Sequence, residues 1–172
     1  HMVNVWAAGT RMALAQRKAP NRNEVAGALE VLALLDLKGT IVTADALHCR
    51  PDTAKALRRR KGHYVLAIKR NRGSLFSAAK TVVDTARRPQ RATQRTTKAH
   101  GRIERRQAIV VAAPQLGQQY GFPDLVAVGR IESSRQLPGK PTTTKVRYFL
   151  ASRALSAKKL LDVARAHWGI EN

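Results

Sequence analysis

The chain is 172 residues long with 44% hydrophobic side chains, enough for one domain with a sizeable core and no need of a second. It carries 32 Lys and Arg against 11 Asp and Glu, a formal net charge of +21, which points to a polyanionic partner and first of all to nucleic acid. A single cysteine, Cys49, excludes an internal disulfide framework and any multi-cysteine metal site; the apolar runs are too short for a membrane span and no secretory leader is recognisable, so a soluble cytoplasmic protein is expected.

In chain order, Met2 to Ala8 and Met12 to Gln16 read as two strands around a Gly9-Thr10 turn, a hairpin. Asn23 can cap a helix whose apolar positions Val25, Ala28, Leu29, Leu32 and Leu35 follow helical spacing toward Lys38-Gly39. Thr40 to Asp45 is a short β-branched run ending in a carboxylate, the pattern by which a buried parallel strand delivers a functional group to the C-terminal edge of a sheet. Pro51-Asp52 opens a basic helix through Arg60, and Tyr64 to Ile68 is the next strand, giving a β-α-β alternation. A helix from Ser74 to about Arg87 follows. The polar, basic, poorly patterned stretch from Arg88 to His100 reads as a loop that orders on DNA.

From Arg102 the pattern changes to extended segments, Arg102 to Ala112, Val126 to Ser133 and Thr143 to Ala151, with a Pro138-Gly139 turn signal before the last. These suggest an inserted β-rich subdomain over about 101–152. Ser156 then caps a helix with Leu160, Leu161, Val163 and Ala164 on its apolar side.

Two acids stand out, Asp45 at its strand end and Glu171 in the mostly apolar stretch from Ala166 to Asn172. Each has an ordinary alternative, a cap for the next segment and an exposed helix residue respectively. Eighteen of the basic residues and only three acids fall between Arg50 and Arg106. The nucleic-acid-binding candidates therefore centre on Arg58, Arg59, Arg60, Lys61, Lys69, Arg70 and Arg72, joined by Arg102, Arg105 and Arg106. Arginine enrichment of a merely solvated face is the alternative. Strand alternation places Arg102, Glu104 and Arg106 on one face and Ile103 and Arg105 on the other, a row suited to phosphate contact with the acid holding the arginines. No phosphate-cradling glycine loop is present, and the adjacent His48 and Cys49 have no second pair to complete a zinc site.

Six segments in order carry a resemblance: Asn23-Glu24-Val25 with its Leu-rich helix, Thr40 to Ala46, Tyr64 to Asn71, His100 to Arg106, Arg147 to Leu150, and His167 to Asn172. Together they resemble the H-repeat-associated, ISAs-type family of insertion-sequence transposases over essentially the whole chain. The resemblance implies an α/β, RNase H-like mixed sheet with flanking helices and a β-rich insertion. It further implies a DDE active site using two Mg²⁺ (or Mn²⁺) ions to cut and join DNA at transposon ends, with a homodimer on DNA. Asp45 matches the second Asp and Glu171 the Glu, both as metal ligands. No residue matches the first Asp, which in the family stands on a strand just ahead of this segment, so the first core strand, which the RNase H-like sheet order sets between the hairpin and the Asp45 strand, is expected to be missing. A related, broader transposase signature places Tyr and Arg ahead of the Glu, and here those positions hold Ala164 and His167. The chain is thus expected to be a fragment of the catalytic domain that binds double-stranded DNA with little catalysis; the alternatives are a non-catalytic nucleic-acid-binding protein and a structure-specific nuclease.

Overall fold

The computed structural model describes residues 2–10, 12–98 and 102–168. Eight strands and five helices follow one another: β1 (Met2–Ala7), β2 (Met12–Lys18), α1 (Glu24–Ala33), β3 (Ile41–Ala44), α2 (Pro51–Arg59), β4 (His63–Ile68), α3 (Gly73–Thr85), β5 (Gln90–Lys98), β6 (Arg102–Ala112), α4 (Pro114–Tyr120), β7 (Ala127–Gln136), β8 (Thr143–Ala151) and α5 (Ala157–Trp168). The α/β class expected from the sequence is what forms.

The expected hairpin is a separate two-stranded sheet, β1 against β2, packed on α1 and tied to it by an Arg17 Nε to Glu30 Oε2 ion pair of 2.6 Å. Helix α1 starts as expected, with the Asn23 side chain accepting from the Ala26 amide, but it ends at Ala33. Leu34, off the expected apolar face, is 73% exposed, while Leu35 still packs against the core from just beyond the helix. The remaining strands form one six-stranded sheet in the order β3-β4-β8-β7-β6-β5, parallel only between β3 and β4.

Two sequence expectations change. The basic stretch read as a loop contains strand β5, registered against β6 through nine pairs from Gln90↔Val110 to Lys98↔Arg102. Its apolar signal is weak because it is an edge strand whose odd positions Arg91, Thr93 and Arg95 face solvent. Backbone hydrogen bonds, which need no particular side chain, hold it. The strands after Arg102 are also not a sheet apart: β8 pairs with β4, so β5 to β8 extend the sheet that carries Asp45.

Each face of this sheet has its own core. On one, Tyr64, Leu66 and Leu150 pack with Leu57 of α2, Leu75 and Val83 of α3, and Leu116 of α4. On the other, Val65, Ala108, Ile131 and Phe149 pack with Leu160, Leu161 and Ala164 of α5. Gly129 lets α5 approach closely, since a Cβ there would overlap Leu160 Cδ2. Helix α5 reaches β3 at one edge and β5 at the other, so the sheet curls around it. No described helix is long and apolar enough to cross a membrane.

Candidate active site

Asp45 directly follows β3, whose Ala44 pairs with Leu66 of β4. Its Oδ1 accepts from the Leu47 amide at 3.0 Å, and its carbonyl accepts from the His48 amide at 3.2 Å. The residue therefore closes the tight turn after the strand, the local role that short acidic side chains fill well. Its side chain is exposed rather than buried at the strand end, so no desolvation cost demands a partner there. The second carboxylate oxygen keeps no hydrogen-bond partner among the described residues and remains available as a hard ligand.

Helix α5 comes to the same place. Thr43 Oγ1 and His167 Nδ1 share a hydrogen bond of 3.0 Å, which joins the strand that ends in Asp45 to the last turn of α5. Thr43 precedes Asp45 by two residues, and His167 precedes Glu171 by four in the sequence. Glu171 itself lies outside the described residues. Among the described residues no three His, Cys, Asp or Glu side chains are grouped as a metal site would require, so Asp45 is the one described member of the expected set. The Thr43 to His167 link is not legible in sequence, because it spans 124 residues and the segments that contain the two residues carry no sign of a contact between them.

The turn after Asp45 is braced from below. Asn71 Nδ2 donates to the Ala46 carbonyl at 3.4 Å, and Cys49 is fully buried. Burial pushes the Cys49 thiol up to about 12, with the charge of Arg72 opposing part of that rise. A native-state thiol reagent at pH 8 is therefore expected to label Cys49 negligibly and to label it fully in denaturant; fast native labelling would show the turn to be open. Because the folded value lies above the ordinary 9.0, this group's contribution to stability is complete below about pH 9 and is lost as pH rises through about 12.

Strand direction decides which basic residues share this end. β3 and β4 run together, β8 and β6 oppose them, and β7 and β5 run with them. The start of β6 and β8 and the finish of β5 and β7 thus all project from the Asp45 end. The level of Asp45 corresponds to Ala67, Phe149, Gly129, Val110 and Gln90, so β5 continues eight residues further, roughly 25 Å at strand rise. Arg102 and Arg106 lie on this projection, on the face shared with α5 and Thr43. Both reach Glu104, at 3.1 and 3.9 Å, in the row that alternation implied, while Arg105 points to the other face. Arg102 Nε is buried there without a hydrogen-bond partner.

Lys69, Arg70 and Arg72 follow β4 and also lie at the Asp45 end; Lys69 and Arg70 are exposed. Arg58, Arg59, Arg60 and Lys61 lie at the opposite end, because α2 runs back alongside the sheet and the Lys61 carbonyl accepts from the Gly39 amide. That is about 20 Å of extended chain from Asp45. Arg58 is engaged by the fold: its guanidinium meets Asp124 at 2.8 Å and donates to the Gly62 carbonyl at 2.6 Å. Beside it, burial first and then the charge of Asp124 push the Tyr64 hydroxyl above its ordinary range, and that hydroxyl donates to the Pro123 carbonyl.

The sequence profile of the transposase DDE domain matches residues 1–172. The chain belongs to the DDE transposase family. It is 32% identical over 156 residues to an "uncharacterized protein in dhlA 3'region" of Xanthobacter autotrophicus, covering 88% of this chain and 52% of that protein. It is 29% identical over 181 residues to the "H repeat-associated putative transposase YhhI" of Escherichia coli K12, covering all of this chain and 48% of the relative. To the "putative transposase YncI" of Escherichia coli O157:H7 it is 31% identical over 182 residues, covering all of this chain and 46% of the relative. The chain thus spans about half the length of the curated relatives it matches.

Proposed function

We propose that residues 1–172 form part of an RNase H-like catalytic domain of an insertion-sequence transposase. In this reading Asp45 and Glu171 are two of the three carboxylates that hold Mg²⁺ or Mn²⁺, and the basic projection holds the DNA. The observation that carries it is convergence: β3, the last turn of α5 and the basic ends of β5 to β8 meet at one end of one sheet. Hard divalent cations need several oxygen ligands, and Asp45 offers one free oxygen there. The metal would supply charge neutralisation at the scissile phosphate. What this chain's own residues would do is bind duplex backbone, through Lys69, Arg70, Arg72, Arg102 and Arg106 beside Asp45, through Arg105 on the other face of the projection, and through Arg58, Arg59, Arg60 and Lys61 as a more distant band. Two copies would pair two transposon ends.

The missing first strand finds support in three places. β3 is an edge strand with no partner on its outer side among the described residues. The hairpin leaves Met2, Trp6, Met12 and Leu14 between 39% and 61% exposed. A cleft also opens between the start of β3 and α5, with Ile41, Leu155 and Val163 in its lining. An open edge and uncovered apolar side chains are what a sheet shows where a strand is lacking. With no match to the first Asp, a polypeptide of residues 1–172 is expected to bind duplex DNA and to give no strand transfer with Mg²⁺. Robust Mg²⁺-dependent end cleavage by that polypeptide would overturn the two-carboxylate account.

A second reading, a non-catalytic nucleic-acid-binding protein, draws on the turn-closing role of Asp45 and on the lack, among the described residues, of any group of three ligating side chains. Metal titration separates the two, because only the first gives Asp45 a metal-dependent role.

A further inference from the structure

The projecting part of β5 to β8 has two faces that hold their charge differently. On the α5 face, Glu104 pairs with both Arg102 and Arg106. On the other face, Arg95 and Arg105 stand directly opposite each other in the β5–β6 register, and both are exposed. Ser134 and Thr144 complete the same row across β7 and β8. Arg91, also exposed, lies four residues from Arg95 on this face. None of the three arginines forms an ion pair among the described residues. Glu132 is the one acid that the described parts of these four strands place on this face, and it sits one row closer to the core than Ser134.

Two like charges directly opposite on neighbouring strands repel, and a fold gains nothing from such a pair unless something anionic lies over it. Helix α3 does not cover the row. It crosses nearer the core, where Phe76 meets Tyr148 edge-on and Asp84 meets Arg130 at 3.5 Å. The row offers two guanidiniums and two hydroxyls with no apolar side chain between them, which suits a phosphate backbone better than a protein surface.

We propose that this face, centred on Arg95, Arg105, Ser134 and Thr144, is a second duplex-DNA surface, turned away from Asp45, so that the projection carries DNA on both sides. The proposal rests on reading the chain as a DNA-handling transposase domain, and its test keeps the two apart. The 172-residue chain is titrated with a 12-base-pair duplex, too stiff to wrap from one face to the other, and binding is followed by anisotropy over a range of salt. Wild type is expected to take two duplexes per chain. The double variant R95Q/R105Q is expected to take one, with an unchanged or higher melting temperature at low salt, and a summed salt slope smaller by about two. R95K/R105K is expected to restore the second duplex. Two duplexes bound by R95Q/R105Q with an unchanged slope would overturn the proposal, and so would failure of the lysine pair to restore the count. If in that case K69Q/R70Q/R72Q still loses a duplex, the DNA-handling reading stands without the second surface. Wild type that binds no duplex would overturn both.

Discussion

Replacing Leu160 by Ala is expected to destabilise the chain by about 3 kcal/mol, lowering the melting temperature by roughly 10 °C. Leu160 is 1% exposed and packs where Gly129 lets α5 come closest to the sheet. Its removal leaves a cavity that neighbouring strands cannot close, because their backbones are fixed by the ladder on both sides. Leu34→Ala, a control at a 73% exposed position, should change stability by less than about 0.5 kcal/mol. Thermal unfolding of both variants checks the difference. A small effect at Leu160 would mean that α5 is not anchored through Gly129, and the Thr43 to His167 link would then lack its support.

Neutralising Lys69, Arg70 and Arg72 together to Gln should weaken duplex binding by one to two orders of magnitude near physiological salt. The slope of log affinity against log salt should fall by about 2.7, one counterion-release increment of about 0.9 for each phosphate that is no longer neutralised. The same change at Arg59, Arg60 and Lys61 should cost only a few-fold. Both triplets have the same charge and similar exposure, so composition alone predicts equal losses. The difference comes from topology: the first triplet follows β4 at the Asp45 end, and the second ends α2 at the other. Equal losses would show a diffuse field rather than a directed surface.

The two triplets also mark where the sequence stops being legible. The strand from Tyr64 to Ile68 is legible because burial on both faces demands apolar residues nearly throughout, and the half-buried Ile41 to Ala44 is legible by its β-branched run. So is the alternation that sets Arg102, Glu104 and Arg106 on one face. Strand β5 is not, since an edge strand with one solvent face and few apolar partners has the composition of a loop. The short helix α4 escapes notice too; its signals, Pro114 at the start and the left-handed Gly121 at its end, bracket only seven residues. Asp45 stands out by position, but its turn-closing bond and its exposure depend on a local backbone that no motif encodes. The separation of Arg58 from Arg70 is likewise a property of strand direction. Adjacent in sequence, the basic residues from 58 to 72 look like one patch, and the fold divides them between two ends of a sheet.

The central claim, that Asp45 is a metal ligand at the DNA-handling end of this sheet, is tested most directly by titrating Mn²⁺ into wild type and Asp45→Ala while recording amide resonances. The account predicts selective broadening around Thr43, Asp45, Leu47 and His167 in the wild type, and its loss in Asp45→Ala with the fold intact. Equal broadening of the same residues in both proteins would contradict it.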